Sequence, residues 1–342
     1  MDTNPACTPD ARYKAVGLGK GGLWAYKSAD AIHWSPIQQR PIITKGAFDT
    51  QNIAFWDALR GEYRAYIRDC RQGRRDIRTA TSKDFFHWTE PVWLRYPGAP
   101  EEQLYTNQIK PYYRAPHIFI GFPTRYIERG WSDSMRALPE LEHRQLRAKA
   151  HLRYGTALTE ALLMSSRDGL TFMRWGEAFL RPGLRNKDNW SYGDNYIAWH
   201  VVETKSHMPD APDELSLYAT ESYWTGNSSQ LRRFTLRVDG FVSVEAPLAG
   251  GEVITKPLRF SGSKMLLNFS TSAAGGLRVE IQDGDGKPIP GFSLEDCPEV
   301  FGDSLERVVA WKQGPDVGRL ARQTVRLRFV MKDADLYSFR FQ

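Results

Sequence analysis

The chain has 342 residues, 41% hydrophobic and 25% charged, which is ordinary usage for a folded globular protein; disordered and fibrous classes are excluded, and the length predicts two domains or one large one. No stretch approaches the roughly 18 apolar residues of a membrane span, so no membrane partner is expected. The formal net charge is +6, with 32 arginines against 14 lysines; their guanidinium forks suit carboxylate or sulfate better than ammonium groups do.

The first fourteen residues contain no apolar h-region, so a cytoplasmic location is the default expectation; an extracytoplasmic origin would require further sequence upstream. Cys7, Cys70 and Cys297 are too few and too scattered for a disulfide framework or a zinc site.

Three segments repeat: Tyr26 to Trp34, Ala80 to Trp88 and Met164 to Phe172. Each runs from a strand pattern into Ser-x-Asp, then a turn, then an aromatic residue that opens another strand. The carboxylates Asp30, Asp84 and Asp168 are expected to accept backbone N–H bonds and fix these turns. Strand patterns precede each turn at Arg12–Gly17, Glu62–Arg68, His117–Phe122 and Ala198–Glu203, with Asp49–Trp56, Tyr105–Tyr112 and Gly193–Trp199 further upstream. A unit of three or four short antiparallel strands over about 45–60 residues is a propeller blade. Four blades are predicted, at residues 12–45, 46–100, 101–183 and 184–245. Within the third, Trp131 to Tyr154 reads as a short basic helix, either a solvated insertion or a lid over the propeller mouth.

Residues 246–342 change pattern to alternating strands between turn signals, including Leu277–Ile281, Val325–Phe329 and Leu336–Phe341. This predicts an all-β chain: a β-propeller domain over 1–245 followed by a β-sandwich domain over 246–342. Asp283 to Gly286 reads as a hairpin turn, because the rest of a calcium loop is missing.

Blade geometry brings the starts of inner strands and the loops between second and third strands to one mouth. Aligned there are Gly22, Asp76, Glu160 and Glu214 at third-strand starts, Asp49 and Asp194 on inner strands, and Arg68, Asp69 and Glu203 at second-strand ends. Convergent carboxyls suit hydrolysis of a glycosidic bond, one donating a proton while another activates water or attacks. Asp49, Asp76, Glu160 and Asp194 are the candidate catalytic residues. Arg68, Asp69, Tyr105, Asn107 and Glu203 are the candidate substrate-binding residues, and Trp56, Tyr192 and Trp199 are further sugar-stacking candidates. No P-loop, dinucleotide fingerprint, nucleophile elbow or metal-ligand spacing is present; no cofactor or metal is expected, and calcium in the channel is not indicated. The arginines alternate with carboxylates, so no nucleic-acid partner is expected.

Phe48-Asp-Thr-Gln-Asn52, Arg75 to Asp84, Ser165 to Gly169, Pro212 to Ser216 and Lys332 to Phe339 resemble the five-bladed β-propeller glycoside hydrolases of the invertase and arabinanase type, most closely a bacterial branch of that group. The resemblance implies a glycosidase acting on a glycan or oligosaccharide, with an acidic one suited to the arginines. It matches Asp49 to an inner-strand catalytic Asp, Glu160 to the acid, and Asp76 or Asp194 to the third carboxylate. The invertase-type Asn-Asp-Pro and Glu-Cys motifs are absent, and four blades stand where the family has five. A carbohydrate-binding propeller without catalysis and a protein-interaction scaffold are the alternatives.

Overall fold

The Ser-x-Asp segments form the turns that punctuate the first part of the chain. In the first copy the Ser28 hydroxyl oxygen accepts from the N–H of Ala31 at 2.9 Å, and Asp30 Oδ1 accepts from Ile32 and His33 at 2.9 and 2.8 Å. The second and third copies repeat this with Ser82 and Asp84, and with Ser166 and Asp168. The residue after each Asp lies in the left-handed region, with φ of 65° at Ala31, 72° at Phe85 and 74° at Gly169. Only the third turn demands glycine for space: a Cβ there would meet Arg64 Nη1 at 2.8 Å and the Tyr66 hydroxyl at 2.9 Å. Hydrogen bonds from the His33 ring and from the backbone of His33 and Ile32 hold the Asp30 carboxyl well below the usual range.

The structure, a computed structural model, describes residues 1–225 and 229–342. The chain divides into two compact units, one of residues 1–201 with 217–234 and the other of residues 202–216 with 235–342. The first sheet is β1 (Tyr13–Gly19), β2 (Gly22–Ser28) and β3 (Ser35–Pro36); the second is β4 (Ile53–Asp57), β5 (Glu62–Arg71), β6 (Arg74–Ser82) and β7 (Val92–Trp93). Both are antiparallel and ordered as in the chain, the pattern of propeller blades.

The third blade is broken across its middle. Its strands are β8 (Gln103–Leu104), β9 (Lys110–Tyr112), β10 (Ala115–Gly121), β11 (Thr124–Glu128), β12 (Ala157–Ala161), β13 (Met164–Ser166) and β14 (Met173–Arg174). One half is ordered β8-β11-β12 and the other β9-β10-β13-β14. The break falls at Phe122-Pro123, where proline has no N–H for the ladder and its carbonyl instead accepts from Leu162 at 2.8 Å. Between β11 and β12 the insertion is three short helices, α1 (Asp133–Arg136), α2 (Leu141–Ala150) and α3 (Leu152–Thr156), rather than one.

The fourth sheet is β15 (Val202–Thr204), β16 (Glu214–Glu221) and β17 (Gln230–Arg237). Its strand order differs from the sequence reading. Asn195 and Ala198 donate to Thr220 and Tyr218 at 2.7 Å each, and Glu203 pairs with Leu215, so β15 and the residues before it run alongside β16, which is the second strand. Two prolines, Pro209 and Pro212, lie in the loop 205–213 and place the hairpin there. Glu214 therefore opens a second strand, not a third.

Apolar side chains pack between successive sheets of the first unit. Leu23, Ile43, Ala65 and Ile67 form one cluster, while Ile53, Tyr66, Ile77, Phe119 and Met164 form another. The second unit is built on β18 (Val244–Ala246), β19 (Gly251–Ile254), β20 (Met265–Asp283), β21 (Asp303–Val308) and β22 (Val325–Phe341). Strands β20 and β22 pair over nearly their whole length, with a register break between Thr271 and Gly276. Met265, Leu267 and Phe269 before the break share one core with Leu277, Val279 and Ile281 after it. The same two strands thus supply both layers of the sandwich. Asp283 to Gly286 is a hairpin turn, Asp283 Oδ1 accepting from Asp285 and Lys287 at 3.0 and 2.9 Å.

The turn aromatics give a direct test of this packing. Phe85 is 1% exposed and meets Tyr63 and Trp88 edge-on at 4.9 and 5.6 Å, whereas Phe86 is 41% exposed. Phe85→Ala is expected to cost about 3–5 kcal/mol in urea denaturation, and Phe86→Ala to stay within about 0.5 kcal/mol of the parent.

Candidate functional site

The motif Phe48 to Asn52 is a loop held by its last residue. Asn52 Nδ2 donates to the carbonyls of Phe48 and Thr50 at 3.0 and 2.8 Å, and its Oδ1 accepts from the Arg68 N–H at 3.2 Å. This places Asp49, which is exposed, in an ion pair with Arg68, whose side chain is only 6% exposed. Thr50 Oγ1 donates to the Tyr105 carbonyl at 3.2 Å, and the Arg68 guanidinium lies 5.1 Å from the centre of the Tyr105 ring. Burial pushes the Arg68 pKa down.

Tyr105 opens an array of tyrosines from the third and fourth blades. Its ring lies 6.0 Å from Tyr126, 6.1 Å from Tyr192 and 5.6 Å from Tyr196, and its hydroxyl is 2.9 Å from that of Tyr192. Tyr192 continues the array to Tyr154 and Tyr223, and Tyr223 stacks on Trp224 at 4.7 Å. Arginines face these rings: Arg75 lies 4.2 Å from the Tyr126 centroid, and Arg147 lies 5.4 Å from that of Trp224. The Tyr126 hydroxyl donates to Glu128 at 3.0 Å, and its pKa is pushed up to about 12, first by burial and then by that carboxylate.

The helical insertion supplies one wall. Arg144 of α2, buried, donates to the carbonyls of Pro139, Asn189 and Trp190 at 2.7–2.9 Å, which ties the helix to the loop before Tyr192. Arg147, one turn further, donates through Nη1 to the Tyr223 carbonyl at 3.4 Å. Its Nε and Nη2 are buried without a hydrogen-bond partner among the described residues, as is the Tyr196 hydroxyl. Those two nitrogens share one edge of the guanidinium, the fork that grips a carboxylate with two parallel bonds. Buried nitrogens of Arg64, Arg68, Arg75, Arg78, Arg153 and Arg174 are also without a hydrogen-bond partner; at Arg147 both donors of one edge are in this state, and an anionic ligand would satisfy them together.

Asp194 lies beneath the array, 1% exposed, with Oδ2 accepting from Ser191 at 3.1 Å and Oδ1 from Tyr223 at 3.0 Å. It fixes the two segments that carry Tyr192 and Tyr223. Burial raises its pKa to about 6, assisted by the negative charge of Glu221 and opposed by the backbone bonds.

The other candidates lie elsewhere. Asp69 leaves β5 on the face opposite Arg68 and pairs with Arg78 at 2.8 Å. Asp76 lines a neighbouring cleft, accepting from the Tyr96 hydroxyl at 3.3 Å, and burial raises its pKa. Glu160 is held by Arg125 at 2.5 Å, and Arg125 also binds Glu102 at 2.7 Å. Asn107 is buried, its oxygen accepting from the Ile109 N–H at 3.3 Å. Glu203, exposed on β15, belongs to the second unit. Trp56 packs against Tyr63 and Trp199 donates to the Ile109 carbonyl at 3.0 Å; both line a separate cavity of about 170 Å³. The structure thus connects Asp49, Arg68, Tyr105, Tyr192 and Asp194 through one chain of contacts.

Sequence reasoning missed Arg75, Tyr126, Glu128, Arg147 and Tyr196. Arg75 carried a signal, as part of the densest arginine run, Arg71 to Arg75. Arg147 carried none, since a charged helix reads as a solvated surface. Among the described residues no cluster of three or more His, Cys, Asp or Glu side chains is placed to hold a metal ion.

No protein-family model and no curated protein matches the chain. Among solved structures it is similar to an N-acetylgalactosamine deacetylase from F. plautii in complex with blood group B trisaccharide, at 11% identity and TM-score 0.39, over 62% of this chain and 63% of that one. It is also similar to a fructofuranosidase from Schwanniomyces occidentalis complexed with fructosylnystose (10% identity, TM-score 0.35, 98% and 79% covered). A β-fructofuranosidase from Bombyx mori gives 8% identity and TM-score 0.36, with 96% and 76% covered. The alignment spans less than two thirds of the length of the deacetylase.

Asp194 yields a pH prediction. Folded, it takes up its proton near pH 6, and unfolded near pH 4. The folded state therefore binds the extra proton between those values, so the contribution of Asp194 to stability is fullest below about pH 4 and is lost as pH rises through 6. The loss is on the order of 2 kcal/mol. In urea denaturation from pH 4 to 7, Asp194→Asn should remove this component of the slope; an unchanged slope would mean that Asp194 is not the group responsible.

Proposed function

We propose that the first unit is a glycoside hydrolase domain that acts on a glycan bearing a uronic acid or a similar carboxylated sugar, and that the tyrosine array forms the chamber that takes it in. The observation that carries this reading is the buried, unpartnered edge of the Arg147 guanidinium beside the aromatic array. A sugar ring presents an apolar face of C–H groups that packs on tyrosine, and the fork meets its carboxylate. Arg68 and Arg75, packed against Tyr105 and Tyr126, add positive potential that favours an anionic ligand over a neutral one.

In this reading Asp49 is the reacting carboxylate. The Arg68 ion pair keeps it ionised, and its exposure leaves it accessible to the sugar or to a water molecule. Glu128, exposed and bonded to the Tyr126 hydroxyl, is the second carboxyl at the same array and the candidate proton donor. Asp194 is a positioning residue, because its oxygens hold backbone and water does not reach it.

A carbohydrate-binding domain without catalysis is the second reading. It is favoured by the commitment of Asp194 to backbone bonds and of Glu160 to Arg125. Turnover and binding separate the two. With uronic-acid oligosaccharides as substrates, Asp49→Asn and Glu128→Gln are each expected to lower kcat by about 100- to 10,000-fold. Tyr105→Ala should raise KM roughly 2- to 10-fold. Tight binding of these oligosaccharides with no turnover by the parent protein would establish the second reading. Unchanged kcat in both carboxylate variants would remove Asp49 and Glu128 from the mechanism.

A further inference from the structure

The cleft that receives Asp76 adjoins the tyrosine array, with which it shares Arg75, but presents different chemistry. It encloses about 420 Å³ and lies where β6, the 94–104 segment and β14 meet. Five arginines line it, at positions 71, 74, 75, 95 and 174, against three carboxyls, Asp76, Glu101 and Glu102. Two of the arginines are committed within the cleft, Arg74 to Glu101 and Arg174 to Glu102. Arg71 and Arg95 are exposed; the Arg71 guanidinium lies 5.9 Å from the centre of the Trp93 ring, and its charge acts on Asp76 and Glu101. Arg174, whose side chain is 1% exposed, keeps its Nε buried without a hydrogen-bond partner. The Tyr96 hydroxyl is turned to Asp76 in the same wall.

An excess of guanidinium groups around a concave space of this size is costly through mutual repulsion unless an anion enters. Aspartate and glutamate from the chain offset part of it, leaving two positive charges in excess when all three carboxyls are ionised. Tetrahedral oxyanions satisfy several arginine forks at once, which a single carboxylate does not.

We infer that this cleft is a binding site for a tetrahedral oxyanion, a phosphate or sulfate group, held chiefly by Arg71, Arg95 and Arg174. The group can arrive as an ester on a sugar or as the free inorganic ion, and the two sources share the same recognition. The site stands whether or not the chamber hydrolyses a glycan.

Isothermal titration calorimetry at low ionic strength on the full chain tests it, with inorganic phosphate, inorganic sulfate, glucose 6-phosphate and glucose 6-sulfate as probes. Saturable one-to-one binding is expected, weakened at least tenfold in the Arg71→Gln/Arg95→Gln double variant. Both side chains are exposed, so the variant should keep the parent's circular dichroism and melting temperature. Arg40→Gln, an exposed arginine outside the cleft, should bind as the parent does. Tighter binding of the esters than of the inorganic ions assigns the site to a modified sugar, and equal or weaker binding assigns it to the free ion. Absence of saturable binding by all four probes, or equal losses in the double variant and Arg40→Gln, would overturn the assignment.

Discussion

Arg68 carries a full charge into a place where only 6% of its side chain meets solvent. Removing a guanidinium from water costs several kcal/mol unless charge and polarizable surface replace the lost hydration. Here the replacement is Asp49 on one side and the Tyr105 ring on the other. The same constraint recurs at Arg75 above Tyr126 and at Arg147 above Trp224, so rings and guanidiniums become mutually dependent. The strands fix where the rings stand, and Asp194 and Arg144 fix the loops between them. Compensation is incomplete at each of the three, since Arg68, Arg75 and Arg147 all keep buried nitrogens without a hydrogen-bond partner; at Arg147 these are the two donors of the edge that a carboxylate would grip, which makes the array a binding site in this account.

The turn chemistry was readable without coordinates because it is local. A serine, an aspartate two residues on and a following residue able to take a positive φ are sufficient to close the turn, and all three copies do so. The sequence of the fourth sheet is compatible with two hairpins, and the pair of prolines at 209 and 212 decides between them. Alternation in the C-terminal segment marked strands correctly, but not that those after Gly276 and Val325 extend into two long strands crossing both layers. Period-two patterning carries no information about where a long strand bends.

The site was legible only in part. Positions at inner-strand starts gave Asp49, Tyr105 and Asp194, because blade geometry brings such positions together whatever the sequence. The alignment also selected Asp76 and Glu160, but arginines elsewhere in the chain decide where those carboxylates lie. Arg125 draws Glu160 toward Glu102, and Asp76 meets Tyr96 from a segment twenty residues away. Long-range pairings of this kind leave no periodic trace. Nor does Arg147, since a charged helix looks the same whether its arginine faces water or a ring.

The most direct test of the account is a crystal structure of the protein soaked with a uronic-acid oligosaccharide. The account predicts a sugar ring packed on the tyrosines around Tyr105 and Tyr126, with its carboxylate bridging Nε and Nη2 of Arg147 and a glycosidic bond beside Asp49. Ordered ligand bound elsewhere, or an Arg147 fork closed by a protein carbonyl or carboxylate in the unsoaked crystal, would contradict it.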